Sequence, residues 1–254
     1  MNYLGIFTLI VAYKFAKSDL VSFITGGEFA EYDQYPHSVL LVIYCQKDAM
    51  CGGSILNQNL VLTAAHCVDD CIEEDNILVK YGNKMIYEMK QTSTKKTVYH
   101  EDYDDFYMLN DIALVLTKER IPLDSVVKRV ILMKSPPVVT DAYVSGWGVD
   151  EYNVVSQALK HTTALVRDAK TCVQVMGSIP NGTFCAGPIT GIGAANRGDS
   201  GSALVINKYI QIGIVSYKLK DYTLVTYTNV SYFMDWIQVN SVELFCYNET
   251  ESAN

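Results

Sequence analysis

The sequence predicts an all-β protein, and three observations lead there. Beyond residue 36 the apolar residues fall in short runs, not in long helical stretches. Those runs are rich in Val, Ile, Leu, Tyr and Thr, and clusters of Gly, Asn, Asp or Pro break them up. Helix start signals are few. The chain has 254 residues, 49% hydrophobic and 19% charged, which excludes disorder, collagen-like repeats and coiled coil. Its length allows two medium domains or one larger all-β unit. Lys plus Arg number 20 and Asp plus Glu 28, so the net charge is −8 and gives no general pull toward nucleic acid or an anionic membrane.

In chain order, Tyr3 to Tyr13 form an uncharged apolar run of 11 residues. A spanning helix needs about 20, so the run fits the core of a secretory signal peptide, with Ala16 as the small residue before cleavage. Residues 1–16 are therefore expected to be removed, and the mature protein to be soluble, secreted and extracellular. The first strands are read at HSVLLVIYC (37–45), NLVLTA (59–64) and NILVKYG (76–82). DIALVLT (111–117), SALVI (202–206) and YIQIGIVSY (209–217) follow. Asp168 caps a short helix through Gly177, and Ser231 caps a C-terminal one through Trp236 to about Leu244. Pro136-Pro137 marks a linker between two β halves.

The seven cysteines are an odd count. Composition alone leaves free thiols, metal ligands or a disulfide framework with one thiol over. An oxidising destination makes disulfides the default.

Three separated motifs carry chemistry. In CGGSILNQNLVLTAAHC (51–67), His66 follows two small residues and precedes Cys67, while Cys51 and Cys67 flank two short strands. In NDIALVLT (110–117), Asp111 precedes an apolar strand. In GDSGSALV (198–205), Ser200 stands in a glycine turn that lets a carbonyl approach closely. The same turn leaves the N–H groups of Gly198 and Ser200 to meet a developing oxyanion. Each motif alone is weak; their order is specific.

Together they resemble the chymotrypsin/trypsin family of serine proteases, from Ile24 to about Asn240. GWG (146–148), TFCAG (183–187), GIVSY (213–217) and the segment around Trp236 add to the resemblance. It implies two six-stranded antiparallel β-barrels, about 24–135 and 136–230, and a C-terminal helix over about 231–244. It implies a triad in which Ser200 attacks, His66 moves the proton and Asp111 orients His66. It implies no cofactor. The implied partners are polypeptide substrates and protein inhibitors of proteases, with no nucleic acid and no membrane.

ITGG (24–27) is similar to the family's mature N-terminus, so a pro-segment over 17–23 is expected. The freed amine of Ile24 would pair with Asp199. Phe23 stands where the family has Arg or Lys, so a trypsin-like activator would not cut here; either a chymotrypsin-like activating protease cuts after Phe23, or signal peptidase cuts unusually late.

The pocket departs from trypsin-like members. Ala194 holds the floor position, six residues before Ser200, so no carboxylate waits for Lys or Arg. Lys218 and Val225 stand at the usually glycine walls, and Ser216 at the position whose backbone pairs with substrate. Tyr217 replaces a usual Trp, Ser202 and Ala203 replace Gly-Pro, and Asn196 replaces a bridge cysteine. A small aliphatic residue before the scissile bond is expected. Lys218 would cap the pocket mouth or meet an acidic side chain.

The family pattern pairs Cys51 with Cys67, Cys172 with Cys185, and Cys45 with Cys71, leaving Cys246 over. His37, His100 and His161 lie outside any motif and are read as structural, with no metal site. Glu101, Asp102, Asp104 and Asp105 read as a solvated loop. Asn181, Asn229 and Asn248 open Asn-x-Ser/Thr sequons, with Asn248 in a polar tail the most open to a glycan and Asn229 the least. Two alternatives stand beside the active protease. One is a catalytically weak or silent homologue that binds or regulates; the other is a plain β-structural or carbohydrate-binding module.

Overall fold

β-Branched and aromatic residues fill fourteen strands in the computed structural model, which describes residues 24, 27–46, 48–71, 76–138, 140–150 and 152–252. The signal peptide over 1–16 and the pro-segment over 17–23 lie outside the described residues. The first half contains β1 (Glu28–Phe29), β2 (Ser38–Tyr44), β3 (Asp48–Asn57), β4 (Leu60–Thr63), β5 (Ile77–Tyr81), β6 (Lys90–Tyr99) and β7 (Ala113–Thr117). The second contains β8 (Ile131–Leu132), β9 (Asp141–Gly146), β10 (Lys160–Leu165), β11 (Thr183–Ala186), β12 (Ala203–Ile206), β13 (Ile210–Lys218) and β14 (Val225–Asn229).

Strands β2 to β7 close a barrel in the order β2-β3-β4-β7-β6-β5, its ladders antiparallel, with Leu41 opposite Cys51 and Leu62 opposite Leu114. Leu41, Ile43, Ile55, Val61, Ile77 and Leu114 are wholly buried within it. Each such side chain withdrawn from water contributes roughly 1.5–3 kcal/mol before entropy is counted, which is why alternating short runs suffice to form the barrel.

The second half likewise gathers six strands, β9 to β14. Its sheet runs β1-β10-β9-β12-β13-β14-β11, with β8 added in parallel beside β13. The six strands β9 to β14 meet across the seam through a single bridge, Val166 to Ala186, and the Arg167 N–H to Cys185 O bond at 3.0 Å. The ladder stops there because Asp168 turns the chain into α1 (Ala169–Met176) by accepting from the Thr171 N–H at 2.8 Å. The Cys172–Cys185 disulfide then ties α1 to the seam strand.

The other bridges are Cys45–Cys71 and Cys51–Cys67. Cys246 is exposed and outside all three. The C-terminal helix α2 (Met234–Ser252) starts later and runs further than the sequence suggests. Ser231 does not cap it. Instead the Asn229 side-chain oxygen accepts from the Ser231 N–H and hydroxyl, and the Asn229 carbonyl accepts from Tyr232 and Phe233. That turn delays the helix start and places Asn248 in a helix instead of a polar tail. Ile237 and Leu244 of α2 are buried against the first barrel. Among the described residues, no helix is long and apolar enough to cross a membrane.

Between the barrels Trp147, Leu40, Tyr35 and Val205 form a shared core. Ser38 Oγ lies 2.9 Å from Ser145 Oγ, and the Ser54 hydroxyl donates to Gln211 at 2.6 Å. These bonds fix the barrels against each other, and the residues of the three motifs meet where the barrels join.

Candidate active site

β4 delivers the first side chain. Its chain enters a single helical turn, Ala65–Cys67, whose buried Ala64 and Ala65 leave no bulk between His66 and the barrel. The Cys51–Cys67 bridge anchors that turn to β3. His66 keeps 24% of its side chain exposed, while the Asp111 carboxylate is fully covered.

Asp111 sits just before β7. Its Oδ1 accepts from the His66 backbone N–H at 3.0 Å, and its Oδ2 lies 2.9 Å from His66 Nδ1. Two further contacts come from the other barrel. The Ser216 hydroxyl donates to Oδ2 at 2.5 Å, and the Thr228 hydroxyl donates to the Asp111 carbonyl at 2.8 Å. Burial alone would push the Asp111 carboxyl up, but His66 and these donors outweigh it and hold it below its ordinary value. Burial likewise pulls the His66 imidazole down, and the attraction and bonding of Asp111 more than reverse this, so its pKa is raised.

Ser200 arrives on the loop before β12. Its carbonyl accepts from the Gly52 N–H at 2.6 Å, so the loop leans on β3. Gly201 makes that approach possible: a Cβ there would lie 2.1 Å from Thr63 Oγ1 and 2.5 Å from the Gly52 carbonyl. Gly198, at φ +95°, has Gly148 Cα 2.9 Å from where its own Cβ would be. Among the described residues, the N–H groups of Gly198 and Ser200 donate to no protein acceptor, and Ser200 Oγ makes no hydrogen bond to His66. The structure therefore wires His66 to Asp111 directly and holds the Ser200 loop against β3 and β4.

Asp199 is wholly buried. It accepts from the Gly148 N–H at 2.8 Å and the Asn196 N–H at 2.9 Å. Burial nevertheless pushes its carboxyl up to about 6, because those bonds and the more distant Lys218 and Lys160 offset only part of the desolvation. Ile24 is also wholly buried, but its nitrogen belongs to a peptide bond in the continuous chain and carries no charge.

The pocket beside Ser200 is a cavity of about 230 Å³ lined by Asn196, Ser216, Tyr217, Lys218 and Val225, among others. Ala194, expected at its floor, is not part of the lining. Ala194, Ala195 and Val225 pack in one buried apolar cluster, and Ala195 and Val225 are the members that line the cavity. Lys218 is half-buried; desolvation depresses its pKa, against a partial pull from Asp199. The β13–β14 ladder shifts register between Val215 and Tyr217, which leaves the Ser216 backbone unpaired on that side.

The remaining expected residues lie apart. His37 is wholly buried, with its pKa lowered to about 4 by burial, and neither ring nitrogen has a partner among the described residues. His161 Nδ1 lies 2.8 Å from the Tyr35 hydroxyl, and His100 stacks on Trp236. Among the described residues, the clusters of ligand atoms around His66 and Asp70 draw their sulfurs from the bridges Cys51–Cys67 and Cys45–Cys71, which supply no thiolate. In the acidic loop, Asp104 accepts from the Tyr107 N–H and Glu101 from the Trp236 ring N–H. Of the sequon residues, Asn181 is exposed and Asn229 uses its oxygen in the turn before α2.

Sequence reasoning missed Ser216 Oγ and Thr228 as partners of Asp111. No local signal could have found them, since both lie more than 100 positions away in sequence.

Residues 24–237 match the protein-family model described as Trypsin. The chain is 30% identical over 267 residues to the trypsin Tyr p 3.0101 of Tyrophagus putrescentiae, covering 95% of this chain and 92% of the relative. It is 33% identical over 232 residues to brachyurin of Leptuca pugilator, covering 86% and 98%. Among solved structures it is similar to a scabies mite inactivated protease paralogue, with 28% identity and a TM-score of 0.76, covering 84% of this chain and 95% of that one.

Proposed function

The chain belongs to the trypsin family of serine proteases, and on that premise we propose that it is a secreted endopeptidase working through Ser200, His66 and Asp111. In this reading the Ser200 hydroxyl adds to the scissile carbonyl while His66 Nε2 takes its proton. The new C–O bond pushes electrons onto the carbonyl oxygen, which the N–H groups of Gly198 and Ser200 receive. The C–N bond then breaks, and His66 returns the proton to the leaving amine. Water attacks the acyl-enzyme by the same route and releases the acid. The observation that carries this reading is the fully buried Asp111 carboxylate with both oxygens on His66.

The small cavity beside Ser200, lined by Val225 and Lys218, supports a small aliphatic residue before the bond. The raised Asp199 carboxyl supports activation by a cut after Phe23, whose new Ile24 amine would supply the missing counter-charge. The exposed Asn181 supports a glycan there more than Asn229 does. The test is covalent labelling by a fluorophosphonate once Ile24 has been freed. Labelling that Ser200→Ala abolishes is expected; no Ser200-dependent labelling overturns the proposal.

A second reading, a silent homologue that binds or regulates, draws on two observations. The chain is similar in fold to an inactivated paralogue, and Lys218 lines a cavity already small. The same labelling separates the two.

A further inference from the structure

A cavity of about 440 Å³ lies where three stretches of chain meet: the residues before β2, the start of β8 and the β12–β13 turn. It shares no lining residue with the cavity beside Ser200. Backbone bonds hold the three stretches together. The Lys128 N–H donates to the Pro36 carbonyl at 3.0 Å, and the Ile131 N–H to the Tyr209 carbonyl at 2.8 Å. The turn itself is tight, with Asn207 at φ +51° and Lys208 at φ +71°. Its Tyr209 N–H donates to the Ile206 carbonyl at 3.2 Å. The walls are therefore set by the fold, as in most small-molecule sites, and the volume falls in their range.

Two features of the lining point to a ligand and to its charge. His37 borders the cavity and is 1% exposed, and neither ring nitrogen meets a partner among the described residues. Burying a polar group without a hydrogen bond is costly, and the cavity is the space from which a partner can reach this one. Burial keeps the ring neutral at pH 7, with its pKa lowered to about 4, so it has one N–H to donate. The second feature is the charge around it. Lys128, Arg129 and Lys208 line the cavity against a single carboxylate, Asp33, an excess of two positive charges on a chain of net charge −8. Among the described residues, none of these three cations forms an ion pair.

The rest of the lining includes Pro36, Ile131 and Tyr209, which offer apolar surface. We propose that this cavity binds a small organic acid, with its apolar body against Pro36, Ile131 and Tyr209. Its carboxylate is drawn by Lys128, Arg129 and Lys208 and accepts the His37 N–H. The same charges repel a metal ion or an organic cation. The proposal does not depend on the endopeptidase reading.

The test is calorimetric titration of the full chain with naphthaleneacetate and with its neutral amide, naphthaleneacetamide, at low ionic strength. Hydrogen bonds to charged groups are strong enough that the acid is expected to bind about tenfold or more tightly than the amide. Salt is expected to shrink that preference, because the cations are exposed.

Arg129→Gln combined with Lys208→Gly removes two charges from exposed positions, and glycine suits the positive φ at 208. The pair is expected to bring the acid-to-amide ratio toward one while changing the amide's affinity little. His37→Phe keeps a ring and loses the N–H, and is expected to weaken the acid about tenfold. If that variant does not fold, the exposed pair decides alone.

Equal affinity for acid and amide shows an apolar surface only and overturns the proposal. So does an acid preference that the exposed pair leaves unchanged, which puts the anion elsewhere. Acid binding that a folded His37→Phe leaves unchanged, or no binding of either compound in the low millimolar range, overturns it too.

Discussion

The Ser216 hydroxyl donates to Asp111 Oδ2 at 2.5 Å, the same oxygen that lies 2.9 Å from His66 Nδ1. The second barrel therefore holds a carboxylate carried by the first. Both groups are buried, so removing the donor leaves a charge underserved where water cannot replace it. Hydrogen bonds to charged groups contribute about 1.5–3 kcal/mol. Ser216→Ala is expected to lower the melting temperature by several degrees and to cut kcat about tenfold or more, with a smaller effect on KM. Thermal melts and steady-state kinetics check this; an unchanged kcat would show that Asp111 needs no help from β13.

The raised His66 pKa has a definite sign in both stability and rate. A histidine raised in the folded state stabilises fully below its unfolded value near 6.5, and that contribution is lost as pH rises through the folded value. Asp111, held low, stabilises above its unfolded value near 4, and this is lost as pH falls through the folded one. As a base His66 must be neutral, so kcat/KM is expected to climb with pH on a limb centred above 6.5. Asp111→Asn removes the first two raising causes and leaves burial, which moves the limb down and lowers kcat by about 10⁴-fold. A pH profile centred below 6 in the native sequence would contradict the Asp111–His66 coupling.

How far the site could be read from the sequence depended on how far each interaction reaches along the chain. His66 and Ser200 leave a local trace in the small residues or glycines around them, and Asp111 leaves one in the apolar strand that follows it. The bonds from Ser216 and Thr228 to Asp111 leave none, since a serine or threonine in a strand looks the same whatever its hydroxyl meets across the cleft. Closure of the first barrel follows from its alternating runs. The seam of the second, a single bridge stapled by Cys172–Cys185, depends on where α1 begins. Counting back from Ser200 leads to Ala194 as the pocket floor, but only packing shows that Ala195 and Val225 line the cavity and that Ala194 shares their buried cluster.

On the proposed activation, the cut that frees Ile24 also changes what Asp199 contributes to stability. With its carboxyl raised to about 6 against an ordinary 3.8, the uncleaved chain loses stability as pH rises from about 4 through 6. For a wholly buried group, a rise of that size corresponds to about 3 kcal/mol. Asp199→Asn in the uncleaved chain is expected to flatten that loss and to melt several degrees higher at pH 8. After cleavage the order reverses, since the Ile24 amine can pair only with the aspartate. Melting curves of both proteins, before and after cleavage, at pH 5 and pH 8 decide the matter. A cleaved native chain no more stable at pH 8 than the uncleaved one would remove Asp199 as the partner of Ile24.

Lys218 and Val225 restrict the pocket in different ways, and substitution separates them. Val225 is buried in the second-barrel cluster and lines the cavity. Lys218 is half-buried and lines the same cavity, and Asp199 attracts its ammonium. Lys218→Gly removes one lining side chain but leaves Val225, so it is expected to raise kcat/KM for Leu before the bond by about tenfold, a few methylenes' worth, without admitting Phe. Adding Val225→Gly is expected to admit Phe, and by more than the two single changes together, because both side chains border one cavity. Steady-state kinetics on peptides that differ only before the bond measure each step. If the native chain instead cleaves best after Asp or Glu and Lys218→Gly abolishes that preference, the ammonium is a substrate ligand, and the small aliphatic preference is wrong.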